Sequence, residues 1–98
     1  MELKHEALAG TLESSDAQVT VRPAAELTLD IQSSVLNQYG RQIKAVAEAT
    51  LARLGVTSGE VAIVDKGALD CTLKARIETA VYRSADLSAA GIAWGVLA

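Results

Sequence analysis

The sequence predicts an α+β domain of two layers, with a mostly antiparallel four-stranded sheet carrying two helices on one face, in the order β-β-β-α-β-α. Two patterns point there. Period-2 alternation recurs in short segments before residue 33, as in a sheet with one wet face. Apolar stripes at three- and four-residue steps then appear twice, separated by one segment that is apolar on both faces. A chain of 98 residues suits one such domain. Half of it is apolar, yet it has one Trp, two Tyr and no Phe. Much of the apolar content is Ala, so the layers should lie close together.

The first strand is expected over Leu8–Glu13, with Leu8, Gly10 and Leu12 on one face. The second spans Gln18–Arg22, where Val19 and Val21 point inward, and Pro23 ends it because proline has no N–H for a ladder. The third runs Glu26–Gln32 with Leu27, Leu29 and Ile31 inward. A long helix follows, its stripe made by Leu36, Tyr39, Ile43, Val46, Ala47, Thr50, Leu51 and Leu54. Ser33 or Ser34 can cap its start, and Gly55 suits the left-handed position past its end. "EVAIVDK" is a central strand, reached by a right-handed crossover and broken at Gly67. The segment from Leu69 alternates like a strand through Cys71, Leu73, Ala75 and Ile77, but its length favours a helix with an Asp70–Lys74 pair. One domain over residues 1–98 is expected, with residues from about 85 a loosely ordered or partner-docking tail.

Several function classes are disfavoured. A net charge of −3 argues against nucleic-acid binding, which needs a basic stripe. The single cysteine, Cys71, allows no internal disulfide, fits a reducing cytosol and reads as a small core hydrophobe. One His, one Cys and scattered carboxylates lack metal-ligand spacing. No apolar run is long enough to span a bilayer, and the N-terminus lacks a secretory h-region, so a cytoplasmic protein without a membrane partner is expected. His5, Ser14 and Asp16 are the residue types of a nucleophilic triad, but His5 sits at a ragged terminus and no nucleophile elbow surrounds Ser14. Lys66, Lys74, Arg76 and Arg83, interspersed with Asp70 and Glu78, read as a solvated helix face. Trp94 in the apolar tail either folds back or anchors a partner. "ESSD", with Glu13, Ser14, Ser15 and Asp16, is an accessible polar hairpin tip.

"AGTLESSDAQVTV" and "DKGALDCTLKARIETA", joined through "LDIQSSVLNQYGRQIKAVAEATLARLGV", resemble the acyl carrier (gamma) subunit of bacterial citrate lyase. The acyl carrier subunit of malonate decarboxylase is similar at greater distance. The resemblance implies a non-catalytic carrier with a phosphoribosyl dephospho-CoA arm attached through a phosphodiester to Ser14, the first serine of "ESSD". Some relatives have Gly at the position of Ser15, which leaves only the first serine available. It implies an alpha subunit that exchanges acetyl for citryl on the arm's thiol, and a beta subunit that cleaves the citryl thioester to oxaloacetate and acetyl carrier. A prosthetic-group transferase and an acetyl ligase serve maturation, and the setting is citrate fermentation. Glu13 and Asp16 would help the transferase recognise the site, and Lys66 and Arg76 would contact the arm's phosphates. Ordinary fatty-acid carriers are helical bundles, so a similar task would here be done on a different fold. The alternatives are the malonate decarboxylase carrier and an interaction subunit without a prosthetic group.

Overall fold

The computed structural model describes residues 2–33 and 36–85. Its elements are β1 (Ala7–Gly10), β2 (Ala17–Arg22), β3 (Leu27–Ser33), α1 (Leu36–Arg53), β4 (Gly59–Asp65) and α2 (Asp70–Ser84). The sheet order is β1-β2-β4-β3. β1 pairs antiparallel with β2, and β2 with β4, while β3 and β4 run parallel across the α1 crossover. The predicted two-layer α+β class and element order therefore hold, and β4 is an interior strand as expected. The proposed tail from about residue 85, with Trp94, lies outside the described residues.

Both helices cover one face of the sheet, α2 over β1 and β2, and α1 beside it along β3. Val19 and Val21 of β2 and Val61 and Ile63 of β4 face Leu51, Leu73, Ile77 and Val81 of the helices, all nearly inaccessible. Ala9, Ala17, Ala47 and Ala80 are also buried, and these small side chains let the layers approach closely. Thr50, buried in that interface, satisfies its hydroxyl by donating to the Val46 carbonyl one turn back. α1 ends as the sequence suggests. Gly55 has φ 71°, its N–H reaches the Ala52 carbonyl, and the Val56 N–H reaches that of Leu51, the paired bonds of a Schellman motif. Ser33, one of the two proposed caps, donates its hydroxyl to Asp65, and Ser34 lies outside the described residues.

Four details depart from expectation. β1 stops at Gly10, and Ala7 and Ala9 face the core while Leu8 and Leu12 are exposed. Two small residues fit under α2 where two leucines would not. Leu27 is also exposed, because β3 is an edge strand and α1 covers its start only loosely, leaving an open recess between Leu27 and Leu51, Ala52 and Val56. Cys71 is exposed rather than buried, since two steps from Leu73 is nearly the opposite side of a 3.6-residue helix. Glu78, read as solvated, is buried against Arg53 of α1, with 3.5 Å between Nη2 and Oε1.

Candidate functional site

The β1–β2 connection is short, polar and braced from within. Thr11 Oγ1 accepts from the Glu13 N–H at 3.2 Å and donates to Asp16 Oδ2 at 2.7 Å. The Asp16 N–H closes a four-residue turn onto the Glu13 carbonyl at 3.2 Å. Ser14 and Ser15 occupy the corners. Ser15 has φ 64°, the left-handed region that glycine enters most readily. Ser14 is exposed, and its hydroxyl has no partner among the described residues.

The turn is also pinned from outside. The Ser15 N–H donates to the Lys66 carbonyl at 2.7 Å, and the Lys66 N–H to the Asp16 carbonyl at 2.9 Å. These bonds carry the β2–β4 ladder past its last pair, Ala17 with Asp65. Arg76 of α2 adds a bidentate grip, with Nε 2.9 Å from Asp16 Oδ1 and Nη2 3.1 Å from Oδ2. The Ala17 N–H also donates to Oδ1. The bonds from Arg76, then Thr11, then Ala17 hold the Asp16 carboxyl well below the usual carboxylate range. Gly10, at φ 87°, makes the close approach possible: a Cβ there would overlap the Ala17 carbonyl oxygen and press on Arg76 Cδ. Arg76 was expected to point outward; it turns inward because Asp16 offers a carboxylate fork and Gly10 leaves room for its stem.

A second loop, β4 to α2, meets the first at Lys66. Buried Asp65 organises it, its Oδ2 accepting from Ser33 Oγ and the Gly67 N–H, and its Oδ1 from the Ala68 N–H. Beyond it opens a cleft of about 640 Å³ between Gln42 and Ile43 of α1 and the stretch Gly67–Cys71. Gln42 Nε2 donates to Asp70 Oδ2 across it at 2.7 Å, which draws Asp70 away from the expected pairing with Lys74. Leu69 stands at the N-cap of α2, makes no side-chain cap bond, and is 70 % exposed. Asp65 and this cleft were not legible beforehand: a strand-end aspartate before Gly reads as ordinary turn chemistry.

Ser14 and Asp16 thus share one turn, but His5 is not with them. Its carbonyl accepts from Ser84 Oγ at the far end of α2, eight residues past Arg76, or about 12 Å along the helix. Arg83 donates to the Leu8 carbonyl at 2.7 Å, whereas Lys66, bonded to the turn through its backbone, has an exposed side chain. Among the described residues no group of three or more His, Cys, Asp or Glu could hold a metal ion, and no helix is long and apolar enough to cross a membrane.

Residues 4–84 match the family model described as "Malonate decarboxylase delta subunit (MdcD)". A chain of a Pseudomonas malonate decarboxylase hetero-tetramer, solved in complex with malonate, superposes with a TM-score of 0.72 at 25% identity, covering 83% of this chain and 84% of that one. Sequence similarity is much higher elsewhere. The citrate lyase acyl carrier protein of Lacticaseibacillus casei is 58% identical over 88% of this chain and 86% of its own. That of Haemophilus influenzae (strain PittEE) is 51% identical over 88% and 90%. That of Streptococcus mutans is 53% identical over 89% and 87%. With identity above half across nearly the entire described fold, the chain belongs to the citrate lyase acyl carrier protein family and is an acyl carrier.

Proposed function

We propose that Ser14 bears the carrier's prosthetic arm, a phosphoribosyl dephospho-CoA joined through a phosphodiester, and that the loaded protein serves the alpha and beta subunits of a cytoplasmic citrate lyase. The observation that carries this is the turn itself. The hydroxyls of Ser14 and Ser15 both stand exposed at the tip of a turn whose backbone is tied down on either side, and of the two only Ser14 has an ordinary right-handed or extended backbone. Ser15 is the weaker candidate, because its left-handed backbone is a seat that glycine fills better than any L side chain. The fit to a bulky phosphodiester is good: Ser14 is open to solvent, and Lys66, whose backbone is bonded to Ser15 and Asp16, carries an exposed ammonium on a long stem that can screen the added charge.

When bound, the arm supplies a thiol on which acyl groups are held as thioesters. The chain's own part is placement. Tethering converts each delivery to a partner site into a local event with a raised effective concentration. Arg76 and Asp16 neutralise one another and so brace the mount; the cation left to meet phosphate is Lys66. No residue of the turn is asked to do acid–base work on citrate, which belongs to the partner subunits in this reading.

The test is intact mass of protein produced with its transferase. The expected result is a large added mass in the native chain and none in Ser14→Ala, with the melting temperature of Ser14→Ala close to that of unloaded native protein. An adduct that persists in Ser14→Ala refutes the assignment. A second reading, a malonate decarboxylase carrier with the same anchor, is favoured by the family model and the structural match. Reconstitution with each set of partner subunits separates the two, and the higher identity to the citrate lyase carriers favours citrate.

A further inference from the structure

Leu69 is an odd choice at its position. The N-cap of a helix favours Ser, Thr, Asp or Asn, whose oxygen accepts a free N–H of the first turn, and Leu forgoes that bond. Nor does Leu69 join the core, being 70 % exposed. A large apolar side chain that neither caps nor packs is available for something that arrives later. It lies on the wall of the cleft between α1 and the β4–α2 loop, with Ile43 and Ala68 as further apolar lining. Gly67, at φ 89°, leaves open space above it, since a Cβ there would meet nothing within 4 Å. A volume of about 640 Å³ is that of a small-molecule site.

The cleft adjoins the proposed anchor. One hydrogen bond, Ser15 N–H to the Lys66 carbonyl, joins the turn to the residue before Gly67. Standard backbone dimensions then place the Gly67 Cα within about 8 Å of the Ser14 Cα. From Gly67 to Cys71 the chain spans at most about 14 Å. A pantetheine, with two amides and a terminal thiol, covers roughly the length of four extended residues, and the nucleotide portion of the arm adds to that. Its chemistry matches the cleft: an alkyl chain for Leu69 and Ile43, and amides for the Gln42 amide and the Asp70 carboxylate, which already bond to each other across the opening.

We infer that, between visits to partners, the pantetheine end of the arm rests in this cleft against Leu69, with its thiol in reach of Cys71. This depends on the anchoring of the arm at Ser14. Parking the arm there shields it and holds it on the side of the molecule that carries the turn.

The test uses Cys71 as a reporter, since it is exposed and lines the cleft. Loaded protein is stripped of its acyl group and oxidised at low concentration with diamide. Two S–H bonds break, one S–S bond forms between the arm and Cys71, and diamide takes up the two hydrogens as its hydrazine. Peptide mapping should join the Ser14 and Cys71 peptides, and Cys71→Ser should abolish the link. Leu69→Asp should slow it about tenfold, the worth of a buried leucine side chain, with loading of each variant read from its mass. Amide NMR shifts between loaded and unloaded protein should extend from the turn into Gly67–Cys71. Linkage at the same rate in Leu69→Asp, or shifts confined to residues 11–17, overturns the resting site while leaving the anchor intact. Absence of any adduct overturns the anchor, and the resting site with it.

Discussion

Replacing Ser15 by glycine should make the protein more stable while leaving the carrier loaded. The left-handed backbone at φ 64° costs an L residue about 1–2 kcal/mol that glycine does not incur. Glycine in turn loses about 0.5–1 kcal/mol through the greater freedom of its unfolded chain. The Ser15 side chain is exposed and has no hydrogen-bond partner among the described residues, so nothing else is removed, and the N–H bond to the Lys66 carbonyl is kept. The net gain is about 0.5–1 kcal/mol. For a domain of this size that raises the melting temperature by roughly 3–6 °C. Thermal melts of unloaded Ser15→Gly and native protein, followed by circular dichroism, measure it, and intact mass after loading measures function. A fall in melting temperature would refute the reasoning about the turn. Loss of the adduct would refute the choice of Ser14 over Ser15.

Gly10→Ala should act in the opposite direction, since its Cβ would overlap the Ala17 carbonyl in a left-handed backbone; the combined cost of about 2–4 kcal/mol should appear as a melting temperature lower by 10 °C or more, with slower loading. Leu69→Asp should stabilise by about 1 kcal/mol through a new N-cap, seen as a rise of roughly 4–8 °C in the same melts. Glu78→Gln should change the pH dependence of stability. Burial raises the Glu78 carboxyl against the pull of Arg53 and Lys74, so the folded state binds its proton more tightly than the unfolded chain does. This group's contribution is therefore most favourable below its ordinary value of 4.5 and declines as pH rises through the folded value. Melts of Glu78→Gln should match native protein at the acid end and exceed it at neutral pH; a variant less stable at neutral pH would show that the Arg53 pair outweighs burial.

Period and chain order made most of the fold legible. Val19, Val21, Leu51, Leu73 and Ile77 announce their faces because each sits in a run long enough for its period to show. Leu8 and Leu12 misled because β1 is only four residues long, too short for alternation to reveal which side is covered. At the site, the exposure of Ser14 followed from its place at a hairpin tip, and the choice of that serine came from resemblance. What lay hidden was long-range. Arg76 and Asp16 are 60 positions apart, and Ser33 and Asp65 are 32 apart. A local window reads each as a solvated charge or a turn residue, and only the packing of α2 across β1 and β2 shows that they are fasteners.

Those fasteners bear on how a carrier this small can work. A tethered group gains effective concentration only if its linker matches the span between the sites it must visit, and a floppy mount adds its own excursions to that span. Here the turn is tied to the end of β4 through Lys66, to α2 through Arg76 and to itself through Thr11, so two elements and the turn's own bonds hold the backbone beneath Ser14. The Asp16–Arg76 pair contributes in its ionised form, and with the carboxyl held so low that contribution survives until pH falls below the ordinary aspartate value of 3.8. At and above neutral pH the mount should therefore stay rigid, which on the proposed anchoring leaves the conformational freedom to the arm. On the proposed anchoring at Ser14, the turn needs no catalytic group of its own, only a hydroxyl whose position and direction a partner can rely on.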